Sequence, residues 1–450
     1  MVLILPSLIL SAALASAQTI DYYKNFKSQI DPHNVTVPSI KQTTSHDPSV
    51  ECTYYNPDTS LININPAEWP TVWEKATSNG VTESEEFKKV YSSIDWTKAP
   101  NIPVRKLNPD GSLDTSHYPD SDPDCWWSAS GCVTPKLPDV NKDIYYCPEP
   151  ETWGLTYDDG PNCSHNAFYD YLEEQKLKAT MFYIGSNVID WPYGAMRGIR
   201  DGHHIACHTW SHPSITTFTN QEVFAEFYYS LKAIKLATGL TPRYWRPPYG
   251  DIDDRVRWIA TQLGLTAVIW NEDTDDWSAD SPATLQAVEQ NYEDFIRMGT
   301  NGTFAESGNI VLTHEINNTT MSLALKYLPD IMSSYKQVIS VATCHNISYP
   351  YFEDFEWTDV LNRTIPSNTS TTIAPASTTA SASATTMSTI TTATDSKSSS
   401  IATSSPAASG SKDDTKPSAT AAKADASISA GVTFAPNIAL LIGFLAFLFI

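Results

Sequence analysis

The stretch Thr156-Tyr157-Asp158-Asp159-Gly160-Pro161 decides how the rest of the chain is interpreted. It follows the apolar run Trp153-Gly154-Leu155 and ends in Gly-Pro, which predicts a buried strand that delivers two adjacent carboxylates into a turn. Because successive side chains of a strand point to opposite sides, Asp158 and Asp159 cannot serve the same purpose in the same place. A plain strand-to-turn transition is also compatible with Asp-Gly, so a functional interpretation depends on partners elsewhere in the chain.

The region around this stretch alternates between two kinds of pattern. Apolar runs predict strands at 152–157, 179–185, 203–207, 243–246, 265–270, 308–312 and 337–342. Helical patterns lie between them at 164–177, 222–238, 253–263, 283–298 and 320–335. Such alternation implies parallel strands with helices outside, so the sequence predicts an α/β fold, a distorted or incomplete (β/α)7–8 barrel of parallel strands.

A pair of histidines follows the third predicted strand, in His208-Thr209-Trp210-Ser211-His212. Two histidines at i and i+4 can face one centre if the turn is helical, and with one carboxylate they form a two-His-one-Asp set. Such ligands suit Zn²⁺, with Co²⁺ or Mn²⁺ as alternatives. Two unrelated surface histidines are the alternative interpretation.

Three further clusters follow the next predicted strands. Arg246, within Arg243-Tyr244-Trp245-Arg246-Pro247-Pro248-Tyr249-Gly250, can clamp a carboxylate, or it can pack over aromatic rings. Asp273-Thr274-Asp275-Asp276-Trp277 and Leu312-Thr313-His314-Glu315 offer an acidic residue that could orient a histidine for proton transfer. All five clusters fall at the C-terminal ends of predicted strands, where such barrels carry their chemistry.

Composition restricts the class of partner and the cellular compartment. The 450 residues contain 29 Lys and Arg against 51 Asp and Glu, a formal charge of -22, which argues against nucleic acid as a partner. Seven cysteines predict an oxidising compartment, with a local bridge between Cys125 and Cys132 and one cysteine left over. Glycosylation sequons occur at Asn34, Asn162, Asn301, Asn317, Asn318, Asn346, Asn362 and Asn368.

The two ends of the chain carry targeting patterns. An apolar N-terminus ends in Ala15-Ser16-Ala17, a small-x-small site that predicts a secretory signal peptide. The apolar stretch 438–450 follows small residues and a short spacer, the pattern of a GPI-attachment signal, with a tail-anchored helix as the alternative. We expect a secreted protein on the cell wall and the outer face of the plasma membrane, in contact with membrane or wall glucan through the anchor.

These features predict six segments. They are a signal peptide at 1–17, an irregular Trp-rich N-terminal extension at 18–147, a catalytic domain at 148–348, a C-terminal segment packing on it at 349–363, a Ser/Thr-rich stalk at 364–430 and the GPI-attachment signal at 431–450. In the extension, we interpret Trp126-Trp127 as packing residues, with sugar binding as the alternative.

The ordered set TYDDGP, HTWSH, RYWRPPYG, DTDDW and LTH resembles the five motifs of the polysaccharide deacetylases, carbohydrate esterase family 4, whose domain is also called the NodB-homology domain. The resemblance covers about residues 150–345 and implies metal-dependent hydrolysis of N-acetyl groups. With its signal, stalk and tail, the chain is most similar to GPI-anchored fungal chitin deacetylases, which implies chitin and N-acetylglucosamine oligomers as partners. The alternatives are another acetylated polysaccharide, such as xylan or peptidoglycan, and an inactive chitin-binding wall mannoprotein.

The resemblance also implies a role for each matching residue. Asp158 would be the general base, paired with Arg246, while Asp159 would join His208 and His212 as a metal ligand. His314 would be the general acid.

Four further roles concern the substrate and the general acid. The Tyr249 backbone N–H would help bind the oxyanion, and Trp277 and Leu312 would wall the pocket for the acetyl methyl group. Of the two acidic residues that could orient His314, Asp273 is favoured over Asp276.

Overall fold

The computed structural model describes residues 21–53, 62 and 64–361. The predicted signal peptide, stalk and GPI-attachment signal lie outside these residues, as do Asn362 and Asn368. Among the helices in the described ranges, none combines the length and the apolar character needed to span a membrane.

The strands lie between residues 152 and 339. They are β1 Thr152–Gly154, β2 Thr156–Gly160, β3 Thr180–Tyr183, β4 His204–Cys207, β5 Tyr244–Trp245, β6 Thr266–Ala267, β7 Glu272–Asp273, β8 Asn309–Leu312 and β9 Gln337–Ile339.

The α-helices before β1 are short, and the long helices lie between β2 and β9. They are α1 Lys41–Thr44, α2 Pro48–Glu51, α3 Glu85–Tyr91, α4 Trp127–Ser130, α5 Asn166–Glu174, α6 Gly185–Asp190, α7 Pro192–Arg200, α8 Asn220–Thr238, α9 Asp254–Gln262, α10 Pro282–Met298, α11 Asn318–Ser334, α12 Val341–Cys344 and α13 Thr358–Leu361. Short 3-10 segments occur at Tyr22–Asn25, Pro66–Glu68, Ser78–Glu83, Trp96–Lys98, Ile215–Thr217, Pro248–Gly250 and Asp276–Ser278.

The strands form two parallel sheets. One has the order β2-β3-β4-β5-β6 and the other the order β7-β8-β1-β9, and every named pair is parallel. The sheets meet where Asp158 bridges His314, because the Asp158 N–H donates to Thr313 O and the Glu315 N–H donates to Asp158 O. The predicted distorted or incomplete barrel of parallel strands is therefore confirmed.

Two predicted strands differ in extent from those observed. The run 152–157 divides at Leu155, so that β1 belongs to one sheet and β2 to the other. The run 265–270 contributes only Thr266–Ala267 to β6, and Val268, which follows it, forms an isolated parallel bridge with Ile144. These divisions make the barrel irregular.

The longest helices have the end signals that their sequences suggest. At the start of α8, Thr219 and Glu222 form a reciprocal capping box, and Gly239 ends the helix in the left-handed conformation at φ 79°. Asn317 caps α11 by accepting from the Thr319 and Thr320 N–H groups. Such caps satisfy N–H groups that would otherwise lack partners at a helix terminus.

The N-terminal segments pack into the same core as the barrel helices. Phe87 lies edge-on to Phe224 of α8 at 5.3 Å between ring centroids, and Trp69 stacks on Trp210 at 6.2 Å. Trp126 is buried and donates its indole N–H to Asp251. The Trp-rich sequence of this region is thus explained by burial of large aromatic side chains.

Three disulfides connect the described cysteines. The predicted Cys125–Cys132 bridge is present, and the others are Cys52–Cys163 and Cys147–Cys344. The remaining cysteine, Cys207, is free and buried at the end of β4. Burial raises the pKa of its thiol to about 11, so it is an unreactive packing residue.

Candidate active site

The five motif clusters meet at one end of the barrel. Asp158 and Asp159 lie near the C-terminal end of β2, and the other groups follow the ends of β4, β5, β7 and β8. Because these strands are parallel, their carboxyl ends share one face. The fold thereby brings together side chains that lie more than a hundred positions apart in the sequence.

The two adjacent carboxylates face different partners. Asp158 Oδ1 accepts a hydrogen bond of 2.8 Å from Arg246 Nη1. Asp159 lies at a register shift of β2 with a φ of 71°, in the left-handed region that non-glycine residues rarely adopt. Its Oδ1 atom is 3.3 Å from His208 Nε2 and 3.1 Å from His212 Nε2. The separation of the two carboxylates expected from strand geometry is therefore observed.

Asp159, His208 and His212 have the arrangement of a metal-binding set. Their ligand atoms lie within 4.8 Å of one another. Asp159 Oδ1 is buried without an aligned hydrogen bond, although two imidazole nitrogens face it. Burial opposes ionisation of Asp159, but the positive charge that the two histidines carry when protonated prevails and holds its pKa well below its usual value. An anionic oxygen and two imidazole nitrogens around one point fit a divalent cation.

The tautomer of His208 is set by its second nitrogen. His208 Nδ1 lies 2.8 Å from the Arg246 carbonyl oxygen, which can only accept, so Nδ1 carries the proton. The unprotonated Nε2 then faces Asp159, as a metal ligand requires. His212 has a φ of 55° and donates its backbone N–H to Thr209 Oγ1, which shapes the turn that returns its ring to the same point.

Arg246 is fully buried and contacts the first of the two carboxylates, Asp158. Its Nη1 donates to Asp158 Oδ1 and, at 2.9 Å, to Thr156 Oγ1, while its guanidinium lies 4.2 Å from the centroid of the Phe182 ring. Burial lowers the pKa of Arg246 from its ordinary value although Asp158 opposes the shift. Both interpretations made from sequence hold, because Arg246 clamps a carboxylate and also packs over an aromatic ring.

His314 is oriented by Asp276 and not by Asp273. Asp276 Oδ1 lies 2.5 Å from His314 Nδ1, and Asp276 Oδ2 accepts the His314 backbone N–H at 2.9 Å. The preference for Asp273 as the orienting residue is therefore wrong. The reason is local: Asp275 adopts a φ of 55°, which turns the chain so that Asp276 enters the site, while Asp273 Oδ1 accepts the Asp275 N–H.

The contact with Asp276 also changes the acidity of the ring. Burial alone would lower the pKa of His314, but the charge and hydrogen bond of Asp276 prevail and raise it to about 10. His314 is thus held in its protonated form at neutral pH.

Comparison with known proteins identifies the family. A family model described as polysaccharide deacetylase matches residues 145–268. A chitin deacetylase of Amylomyces rouxii is 70% identical over 368 residues, which cover 80% of this chain and 87% of that protein. The chain belongs to the polysaccharide deacetylase family.

Two further comparisons are more distant. Chitin deacetylase 2 of Cryptococcus neoformans var. grubii is 48% identical over 69% of this chain and 68% of that protein. The solved chitin deacetylase of Colletotrichum lindemuthianum is 26% identical, covers 46% of this chain and 92% of that chain, and superposes with a TM-score of 0.42.

The three residues assigned to substrate binding from the polysaccharide deacetylase motifs occupy different environments. Tyr249 has a φ of 57° and is 60% exposed, and its ring lies 4.7 Å from that of His212. Trp277 is 49% exposed beside Asp276, whereas Leu312 is buried at the end of β8. All three lie at the catalytic face, and their contacts with a substrate remain predictions.

Sequence reasoning missed one buried residue of this polysaccharide deacetylase that positions the histidine loop. Glu226 of α8 accepts from the backbone N–H groups of Trp210 and Ser211 at 2.9 and 2.8 Å, from Ser211 Oγ, and from the Ala76 N–H. It fixes the segment between the two metal-facing histidines. The available signal was a single carboxylate within the otherwise apolar run Val223-Phe224-Ala225-Glu226-Phe227.

The predicted glycosylation sites differ in accessibility. Asn34, Asn301, Asn317, Asn318 and Asn346 are exposed. Asn162 is half-buried beside the β2 turn, and its Nδ2 donates to the Ile316 carbonyl. Because Asn162 is half-buried and its side-chain nitrogen faces the Ile316 carbonyl, the structure argues against occupancy of this sequon.

Proposed function

We propose that this chain hydrolyses the N-acetyl groups of chitin, giving acetate and chitosan. The main supporting observation is that the two adjacent carboxylates at the end of β2 have different partners. Arg246 binds Asp158, while Asp159 faces two histidines. A relative that is 70% identical over most of its length carries the name chitin deacetylase, which supports chitin over other acetylated polymers.

The base is Asp158. Its Oδ1 is held by Arg246, and its Oδ2 lies 3.8 Å from His208 Nε2, so it borders the place where the attacking water must lie. When bound by Asp159, His208 and His212, a divalent metal, in the first place Zn²⁺ with Co²⁺ or Mn²⁺ as alternatives, supplies Lewis acidity that polarises the acetamide carbonyl and acidifies water. Asp158 accepts the proton of the water as its oxygen bonds to the carbonyl carbon.

The acid is His314. Its Nδ1–H is held by Asp276, so Nε2–H is the proton available for donation to the amide nitrogen as the C–N bond breaks. The Tyr249 N–H stabilises the oxyanion, and Trp277 and Leu312 enclose the acetyl methyl group. The water thus gives its oxygen to acetate, and the sugar leaves as a free amine.

The location proposed for this activity is the cell wall. Disulfides such as Cys147–Cys344 require an oxidising compartment, which supports secretion. Anchoring through a GPI group, and contact with membrane or wall glucan, is the finer proposal and comes from the sequence pattern at 431–450.

Acetate release from oligomers of N-acetylglucosamine and from acetylxylan, with and without a chelator, tests the proposal. We expect chelator-sensitive release from the chitin oligomers and little from acetylxylan. Asp158→Asn should abolish release while the protein retains its metal. Wild-type release by Asp158→Asn would refute the assigned base, and preference for acetylxylan would refute the substrate.

A further inference from the structure

Among the described residues, the catalytic face exposes Trp73, an aromatic side chain that lies outside the polysaccharide deacetylase motifs. Of the large apolar side chains exposed in the described residues, Tyr249 and Trp277 belong to the motifs and border the site. Trp73 is 42% exposed and comes from the N-terminal extension, far from the motifs in sequence.

Trp73 is fastened to the loop that carries the metal-facing histidines. Its backbone N–H donates to Ser186 Oγ at 2.9 Å, and the Ser186 N–H donates to the Trp210 carbonyl at 3.1 Å. Trp210 lies between His208 and His212 in the sequence, and its indole N–H donates a hydrogen bond of 3.3 Å to the Thr71 carbonyl oxygen. Two hydrogen bonds in series therefore connect Trp73 to the loop of the candidate site.

The residue after Ser186 connects the start of α6 to Asp159. Asn187, which follows Ser186 in α6, donates its side-chain N–H to the Asp159 carbonyl at 2.8 Å. The start of α6 therefore lies between Trp73 on one side and Asp159 on the other, which places Trp73 at the rim of the catalytic face.

The indole is held in a fixed position although it is exposed. Trp73 has a φ of 66°, a left-handed conformation that is strained for a bulky residue and persists only where the surroundings impose it. Its side chain hydrogen-bonds Asp190 of α6, whose pKa burial raises to about 6. A ring restrained at its backbone and at its edge loses little conformational entropy when a ligand covers it.

We propose that Trp73 is a stacking platform for one N-acetylhexosamine ring of the polymer, a subsite beyond the reacting sugar that the N-terminal extension supplies. The inference rests on the proposed function for the identity of the polymer. A pyranose presents C–H bonds on its faces and hydroxyls at its edge, so it packs on an indole while its hydroxyls stay hydrated. The position of Trp73 at the rim, across the start of α6 from Asp159, favours the next unit of the same chain as the occupant.

The test compares short and long substrates with a variant that keeps the backbone. Trp73→Asn removes the ring, but Asn tolerates the left-handed region and retains the N–H that bonds Ser186. We expect the KM for the N-acetylglucosamine hexamer to rise about tenfold relative to the KM for the dimer, with kcat nearly unchanged. Trp73→Phe, which keeps an aromatic face, should recover most of the difference.

Tyr349→Asn is the matched control. Tyr349 is 50% exposed, and it adjoins Pro350, whose carbonyl accepts from the Arg243 N–H just before β5 begins, at the opposite end of the barrel. Its removal should leave the hexamer-to-dimer ratio of KM values as in the wild type.

A binding measurement separates this inference from the proposed function. Calorimetric titration of the N-acetylglucosamine hexamer into Asp158→Asn, with and without Trp73→Asn, measures the affinity for the hexamer in the absence of turnover. About tenfold weaker binding in the double variant supports the subsite, and equal binding overturns it. Absence of acetate release by the wild type would overturn the proposed function, and the calorimetric comparison would still decide the role of Trp73 in binding the hexamer.

Discussion

Asp276 binds His314 through both of its carboxylate oxygens, one on the ring Nδ1 at 2.5 Å and the other on the backbone N–H at 2.9 Å. The two contacts fix the ring in one orientation and keep it protonated, because the carboxylate charge outweighs the effect of burial and raises the pKa of His314 to about 10. A general acid needs both properties, a proton at the operating pH and a fixed direction in which to donate it.

Asp276→Asn should therefore impair catalysis more than Asp273→Asn. Without the charge of Asp276, the pKa of His314 falls and the ring loses its proton at a lower pH, so the alkaline limb of the activity profile should move to lower pH. Acetate release at neutral pH should drop by about 10²–10⁴-fold. The measurement is kcat against pH for both variants, and a larger loss in Asp273→Asn would contradict the assignment.

The metal set makes a separate prediction about binding. His208→Ala or His212→Ala removes an imidazole nitrogen that lies within 3.3 Å of Asp159 Oδ1, so the bound metal should be lost. The loss is tested by measuring the metal content per protein molecule by mass spectrometry after dialysis. His33→Ala, at an exposed site, is the control and should keep the metal. Full metal retention in His208→Ala would exclude the ligand set.

The sequence predicted which side chains meet at the candidate site better than it predicted the residues that support them. Asp158, Asp159 and the histidines could be placed because strand ends and motif order constrain them. The choice between Asp273 and Asp276 failed because it depends on the left-handed Asp275, whose conformation no pattern of residue types indicates. The backbone conformation of Asp275 alone decides whether the carboxylate of Asp273 or that of Asp276 enters the site.

The helices α6 and α7 escaped prediction for a different reason. They contain Gly185, Gly194 and Gly198, which disfavour helices in isolation. Each glycine lies where a side chain would collide: a Cβ at Gly194 would approach the His165 ring to 2.6 Å, and one at Gly198 would approach the Tyr183 hydroxyl to 2.3 Å. Close packing against the barrel, which sequence alone does not show, outweighs the low propensity.

Glu226 should contribute more to stability than any surface carboxylate of the chain. Glu226→Ala leaves the N–H groups of Ala76, Trp210 and Ser211 without their acceptor. At about 1–3 kcal/mol for each unsatisfied buried group, partly relieved by water, we expect the free energy of unfolding to fall by about 3–5 kcal/mol. Urea unfolding measures the change.

The control for Glu226 is Glu289→Ala. Glu289 pairs with Lys326 on the surface, and such a pair contributes about 0–1 kcal/mol. Because Glu226 fixes the loop between His208 and His212, Glu226→Ala should also weaken metal binding. Equal destabilisation by the two variants would show that Glu226 does not hold the loop.

His204 should make the fold sensitive to acid. It is fully buried, its Nδ1 lies 3.0 Å from Thr180 Oγ1, and burial lowers its pKa to about 3. Between pH 6.5 and 3 the unfolded chain therefore binds a proton at this residue that the folded chain does not, so stability falls as the pH falls. From pH 7 to pH 5, His204 alone should remove about 2 kcal/mol from the free energy of unfolding.

Comparing the wild type with His204→Gln at both pH values isolates this contribution. Other buried groups titrate in the same window, among them His203 in the same sense and Asp190 in the opposite sense, but they are common to both proteins and cancel in the difference. The variant is expected to be less stable at pH 7, because a buried ring is lost, yet to lose about 2 kcal/mol less than the wild type on acidification. If His204→Gln loses as much stability on acidification as the wild type, His204 is not the group whose burial opposes protonation.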